Sequence, residues 1–409
     1  MQTFLSNYPD YNHAKRRTFK SQLALALYLS YLEARKGGKR RTHDEHDFEI
    51  NLFANLQYLS NDIINKTYIP LRSTAHIITK PVIREIFAAP FRDRIVHHLL
   101  FGSVYHWWDN HFIYDSYSCR LDKGVLFGIQ RLDHHIRSAS ENYKYKVYVC
   151  KLDIQGYFMS LPRKELYDRA IWGLNQQFKG RERTREYDIL KFLWQRTIMD
   201  DPVKGAKKKG DLDAWAYLPT SKSLFNQPAG QGIVIGNLTS QLLSNIYLDL
   251  LDHFITLDLG YKHYGRYVDD FFIVVKEDQL GQLKKDIHAI EEYLSFIGLT
   301  LHPKKRILKE SKYGIPFLGA TVYHDHLTPG KRLIKNAKRA MKEVVSGART
   351  IDSVPSYLGH FKYFNSYNIL KEIFDETGWD YIPDDLFRTA FQKTRKSPES
   401  DDFLFPYLN

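Results

Sequence analysis

Apolar residues recur along the chain at two periods, and the periods divide it into helical and extended stretches. Leu23 to Leu32 is a continuous apolar run behind His13, Lys15, Arg16, Arg17 and Lys20. It has the outline of a secretion signal, but it passes into Glu33-Ala-Arg-Lys without a small-residue cleavage site and is too short to span a bilayer. The run therefore predicts a buried helix face. Phe48, Leu52, Phe53, Leu56, Leu59 and Ile63 follow at spacings of three and four, which predicts one amphipathic helix ended by Ile69-Pro70. Ala75 to Lys80 reads as a strand, and Arg84 to Arg94 as a surface strand leading into a helix. Ile129 to Ile136 returns to helical spacing. Lys146 to Asp153 is rich in β-branched residues and ends in an acid. His263 to Lys276 holds two such runs around Tyr267-Val268-Asp269-Asp270, which predicts a tight hairpin with the two acids at its turn. Leu333, Ala337, Met341, Val344 and Ala348 share one helical face, with Lys335, Lys338, Arg339 and Lys342 on the others. The aromatics of Ser356 to Tyr367 read as core first and as base-stacking groups second.

Two segments break the pattern. Gly37 to Arg41 is a break with a basic cluster. Trp172 to Gln227 reads as a long polar connection carrying Lys179, Arg181, Arg183, Arg185, Lys204 and Lys207 to Lys209. A solvated face accounts for such charge runs more readily than RNA contact does.

Composition narrows the partners. With 409 residues, 43% of them hydrophobic and 14% aromatic, the chain can bury two or three subdomain cores. A net charge of +12 points to a polyanion, nucleic acid before a membrane surface, although 47 acidic residues accompany the 59 basic ones. Two cysteines, Cys119 and Cys150, exclude a disulfide framework and a cysteine-rich zinc site and fit a reducing, cytoplasmic setting. The 17 histidines, His97-His98 and His134-His135 among them, show no zinc-ligand spacing. No stretch is long and apolar enough for a membrane span, and there are no internal repeats.

Candidate chemistry centres on the carboxylates. Asp269-Asp270 alone fits a solvated turn as well as a metal site. Asp153, at the end of a buried-looking strand and followed by Gly156 and two aromatics, supplies a further acid. Two-metal nucleotidyl transfer needs carboxylates that converge from different strands. Gly230 to Gln241 is a glycine-rich loop opening into an apolar helix, suited to close approach of a nucleotide.

The sequence resembles reverse transcriptases. The motifs that carry the resemblance are Leu-Asp-Ile-Gln-Gly-Tyr-Phe around Asp153, the Gly236 to Gln241 loop and Tyr267-Val-Asp-Asp. Ala89-Pro-Phe-Arg-Asp-Arg and Tyr117-Ser-Cys-Arg120 lie upstream, and Gly298 to Lys305 and Phe317-Leu-Gly-Ala downstream. They occur in the family's order between about Pro81 and Tyr323. Ile235-Gly-Asn-Leu-Thr-Ser-Gln241 is similar to the form in diversity-generating retroelements and related defence-associated, group II intron-like bacterial enzymes. Group II intron and retroviral enzymes instead carry Gln-Gly and Ser-Pro there.

The resemblance implies an α+β right-hand polymerase fold with an antiparallel palm sheet, mixed fingers and a helical thumb. Its parts would be an N-terminal helical extension over 1–70, fingers over 71–150, palm over 151–325 with the basic insertion at about 174–227, and thumb and tail over 326–409. The tail is too short to add a ribonuclease H domain. Asp153, Ile154, Asp269 and Asp270 would surround two Mg2+ (or Mn2+) ions. Arg120, Lys123 and Arg84 would meet the triphosphate, and Phe158 would exclude a ribose 2′-hydroxyl. Ile235, Gly236 and Gln241 would line the nucleotide, and Lys305, or Lys304 beside it, would protonate pyrophosphate. The implied activity is low-fidelity synthesis of cDNA from dNTPs on a structured non-coding or template RNA, with an accessory protein or oligomer as a further partner and no membrane. The alternatives are an antiphage enzyme with repetitive or non-templated synthesis and a catalytically silent RNA-binding protein.

Overall fold

The computed structural model describes residues 1–8, 10, 18–36, 42–80, 82–211, 213–350 and 354–377. The basic cluster at 37–41 and the tail after 377 lie outside the described residues. The chain opens with helices α1 (Gln2–Leu5), α2 (Phe19–Ala34), α3 (His43–Ile50) and α4 (Leu52–Ile64), followed by the hairpin β1 (Thr74–Ile78) and β2 (Arg84–Ala88). Then come α5 (Phe91–His111), α6 (Val125–Ala139), β3 (Val147–Asp153), α7 (Tyr157–Ser160), α8 (Arg163–Gln177), α9 (Arg185–Met199), β4 (Lys207–Lys209) and α10 (Asp213–Ala216). The next group is α11 (Leu238–His253), β5 (Tyr264–Tyr267), β6 (Asp270–Lys276), α12 (Leu280–Phe296) and β7 (Ile307–Glu310). The chain continues through β8 (Ile315–Phe317), β9 (Ala320–Val322) and β10 (Leu327–Pro329) into α13 (Lys331–Val345), α14 (Val354–Phe361) and α15 (Tyr367–Thr377). Among the described residues the architecture is mixed, helices with three small sheets.

The sheet that positions the acids has four antiparallel strands in the order β5-β6-β3-β7. Strand alternation sends successive side chains to opposite faces, and here both faces are buried. Cys150, Leu152, Phe271, Ile273 and Val275 pack into the large core shared with α2, α5, α8, α9, α11 and α12. Val147, Val149, Phe272 and Val274 pack against Ile129, Leu132 and Ile136 of α6 and Ile315 and Phe317 of β8. A third cluster stands apart and joins α13 to α14 and α15 through Ala337, Met341, Leu358, Phe361 and Ile373.

Three expectations from periodicity need revision. The amphipathic stretch from Phe48 is two helices broken at Asn51, whose φ of −122° and ψ of 43° leave the helical region. The break turns Phe53 outward (78% exposed) while Leu56, Leu59 and Ile63 stay buried. The polar connection after Trp172 is largely helical, since α9 buries Ile189, Leu190, Leu193, Trp194 and Ile198 in the main core and turns Arg185, Asp188, Lys191 and Arg196 outward, while Glu186 is buried against the Met1 ammonium. Ala348 falls beyond α13 and is exposed. As expected, no helix among the described residues is long and apolar enough to cross a membrane.

Candidate active site

Tyr267 pairs with Asp270, so the hairpin turn consists of Val268 and Asp269, and Asp270 is already the first residue of β6. A two-residue turn matched to strand twist needs positive φ at its first position. Val268 supplies it at φ 56°, an unusual conformation for a β-branched residue. Across the other edge of β6, Asp153 lies directly opposite Asp270. The Ile154 amide donates to the Asp269 carbonyl at 3.1 Å, and the His302 amide donates to the Asp153 carbonyl at 2.7 Å. The register therefore gathers all three carboxylates at one end of two neighbouring strands. The Ile154 side chain is in the core, so only its main chain can take part.

The electrostatics of this cluster favour added positive charge. Burial, and next the Asp153 carboxylate, push the Asp269 carboxyl up to about 6. Burial also pushes Asp270 up to about 6, against the pull of Lys151, whose Nζ lies 3.0 Å from Asp270 Oδ2. Asp270 Oδ1 is buried with no hydrogen-bond partner. Lys305 Nζ bridges both oxygens of Asp153 at 2.9 Å, whereas the Lys304 amide turns to His302 Nδ1. Two ammonium groups thus stand against three carboxylates. The donors are all oxygens, the set that hard divalent cations prefer, and the unpartnered Asp270 Oδ1 is open to one. The three carboxylates are not gathered within a single-ion distance, which a pair of ions about 3.5–4 Å apart does not require. The residues fit such a pair.

A buried polar brace, absent from the sequence reading, holds the hairpin. Arg266 is wholly buried and makes a two-pronged pair with Asp252 of α11, Nε to Oδ1 at 2.7 Å and Nη2 to Oδ2 at 2.6 Å. Its Nη1 donates to the Val268 carbonyl at 3.0 Å and to Asn245 Oδ1 at 3.2 Å. The Tyr264 hydroxyl also donates to Asp252, at 2.6 Å. Burial works against the Arg266 charge and Asp252 more than restores it, so the guanidinium is held still further from losing its proton. Lys151 was also missed, although it lies two residues before Asp153 on the same strand face, where period two puts it beside the acids.

The remaining candidates fall into two groups. Phe158 is half-buried on α7, and its carbonyl accepts from the Ile233 amide at 2.9 Å, tying α7 to the glycine-rich loop. The Ile235 carbonyl accepts from the Phe87 amide of β2 at 2.8 Å, joining the same loop to the β1–β2 hairpin. Gly236, at φ 131°, approaches β2 so closely that a Cβ would stand 2.3 Å from the Phe87 oxygen. Gln241 lies half-buried in the first turns of α11, and Arg84 is exposed at the start of β2. Arg120 and Lys123 form the other group and are engaged locally. Arg120 is buried and donates to Asp109, Ile113 and Ser116. Lys123 donates to the Tyr114 carbonyl at 2.5 Å, and burial, then Arg120, lower its pKa to about 8. A triphosphate would have to draw both away from these partners.

No protein-family model matches the chain, and no curated protein does. Solved structures similar to it include telomerase from Candida albicans in complex with a TWJ fragment of telomeric RNA, at 13% identity and a TM-score of 0.42 over 79% of this chain and 58% of that one. Telomerase from Candida tropicalis with the same kind of fragment matches at 12% identity and a TM-score of 0.43, over 80% and 57%. Apo telomerase from Candida tropicalis matches at 12% and 0.44, over 82% and 65%. This chain thus spans between 57% and 65% of the length of those chains.

Proposed function

We propose that this protein is an RNA-directed DNA polymerase that makes cDNA from dNTPs on a structured RNA. One observation carries the reading: the register that sets Asp153 opposite Asp270 and brings Asp269 beside them from the adjoining turn. Burial makes Asp269 and Asp270 reluctant to ionise without added cations, a poor arrangement for a solvated turn and a good one for binding ions. Asp153 and Asp269, supported by Asp270 and the Ile154 main chain, would hold two Mg2+ (or Mn2+) ions, which when bound activate the attacking hydroxyl and neutralise charge at the leaving pyrophosphate.

The chain's own groups do the rest. Lys305, already on Asp153, would be within the cluster to give a proton to the leaving group. Phe158 walls the sugar side of the nucleotide, and the loop from Ile233 to Gly236 ties that wall to β2. Arg84 is the exposed cation on the β1–β2 hairpin. The outer face of α13, with Lys335, Arg339 and Lys342 exposed, supplies a basic surface for duplex backbone, while Ala337 and Met341 dock the helix to α15.

The test is extension of a DNA primer by the purified full chain on RNA of mixed sequence, with Mg2+ or Mn2+, supplying all four dNTPs or each alone. Products whose sequence follows the template support the reading. Incorporation that ignores the template, or none with either ion, overturns it.

A further inference from the structure

A second group of metal-ligating side chains meets away from the three aspartates, where α5 ends. His111 is the last residue of α5, and Asp249 and His253 sit one turn apart on α11. His111 Nε2 lies 3.2 Å from Asp249 Oδ2, and His253 Nδ1 lies 3.3 Å from Asp249 Oδ1. One ligand atom from each of the three falls within 4.8 Å of the others, and no other group of three or more does so among the described residues. Donors about 2.1 Å from a tetrahedral zinc ion stand about 3.4 Å from one another. The two imidazole–carboxylate separations are close to that edge, each to a different oxygen of Asp249.

Hydrogen bonding leaves this group incomplete. Asp249 is wholly buried, yet its Oδ1 makes no hydrogen bond, and neither does the buried His111 Nε2. Buried polar groups are almost always partnered, so two orphaned atoms in one cluster leave a place for a cation, although His253 Nδ1 also lies 2.9 Å from the Asp249 carbonyl. The surroundings fix the ligands. Arg169 Nη2 donates to Asp249 Oδ2 at 2.6 Å while its guanidinium lies 3.9 Å over the Trp172 ring, which orients the carboxylate and turns Oδ1 toward His253. Trp107 stacks on His111 with ring centres 5.2 Å apart. Carboxylate ligands held by a further hydrogen bond are the usual arrangement at metal sites.

We propose that His111, Asp249 and His253 hold a zinc ion, with water as the fourth ligand, that ties the end of α5 to α11. Two imidazoles and one carboxylate suit zinc and not magnesium, which demands oxygen donors. The nearby Arg169 charge opposes a dication, so the ion must be one that bonds strongly to imidazole. The ion is separate from the pair proposed at the aspartates and does not depend on the polymerase reading. It would act through α11, whose Asp252 also braces the Asp269 hairpin.

The experiment uses the full chain dialysed against Zn2+ and then against metal-free buffer, with elemental analysis, thermal melting and the visible spectrum of the Co2+ form. The proposal expects about one zinc per chain, a Tm raised by several degrees by Zn2+ and not by Mg2+, and the ligand-field absorption of tetrahedral Co2+. The ion should stay in Asp153→Asn/Asp269→Asn and leave His111→Gln/His253→Gln. Folded wild-type protein holding well under one zinc per chain overturns the proposal, and so does an octahedral Co2+ spectrum. Zinc retained by the histidine variant, or lost with the aspartate variant, overturns it too. The wild-type measurements decide the matter even where the histidine variant fails to fold.

Discussion

Arg266→Met should cost the fold about 3–5 kcal/mol, the range for breaking a buried ion pair from one side. Both partners are wholly buried, and their two contacts are 2.6 and 2.7 Å long. With the guanidinium gone, Asp252 keeps the Tyr264 hydroxyl but no positive charge, and the Val268 carbonyl loses a donor worth about 1 kcal/mol. At about 2.1 cal/mol/K of unfolding entropy per residue, a chain of 409 residues loses roughly 1 °C per kcal/mol, so the melting temperature should fall by about 3–6 °C. Removing both charges in Arg266→Met/Asp252→Leu leaves no unpaired ion, so its cost should be well below the sum of the two single changes. Thermal and urea unfolding of the four proteins, followed by circular dichroism, measures the coupling directly. Loss of less than 1 kcal/mol on Arg266→Met would refute the reasoning, as would costs that add to within about 0.5 kcal/mol.

Asp269→Asn should stabilise the metal-free protein near neutral pH. The folded-state pKa of about 6 lies above the unfolded value, so wild type loses stability relative to the variant as pH climbs from about 4 through 6, and equal melting temperatures at pH 4 and pH 7.5 would contradict this. Gly236→Ala should disrupt the loop and cut DNA synthesis at least tenfold, because its Cβ would strike the Phe87 carbonyl. Gly230→Ala, with open space around it, should cost only about 1 kcal/mol of backbone strain, and equal activities of the two variants would show that the close approach is unimportant. Phe158→Ala should raise incorporation of rNTPs relative to dNTPs by removing a wall, and an unchanged ratio in competition assays would move sugar selection to another residue.

Local periodicity made much of this fold legible. The strand to Asp153 and the hairpin at Asp269 are short, β-branched and bounded by turn residues, so they stand out. Helix α9 did not, because its first turns are crowded with Arg and Glu and its apolar residues begin only at Ile189. The break at Asn51 was invisible because the spacing of three and four continues across it. At the site, the acids were readable as residue types in order, but their company was not. Asp252 and Arg266 are brought together by the packing of α11 under the hairpin, a contact no spacing encodes. Lys151 was within reach of strand parity. The resemblance implies a triphosphate contact for Arg120, and nothing in its motif points to its chief partner, Asp109, which sits on the preceding helix. The histidines were dismissed for want of a linear zinc signature, yet Asp249 and His253 are one helical turn apart and only the third residue comes from afar.

On the proposed function, the carboxylates of Asp153 and Asp269 carry DNA synthesis while RNA binding rests on other surfaces. Single-turnover extension on an RNA template by wild type, Asp153→Asn and Asp269→Asn, with RNA affinity measured in the same preparations, separates the two. The account predicts that both variants lose extension by several orders of magnitude with Mg2+ and with Mn2+, and keep their RNA affinity within about twofold. Templated synthesis by either variant within tenfold of wild type would contradict it.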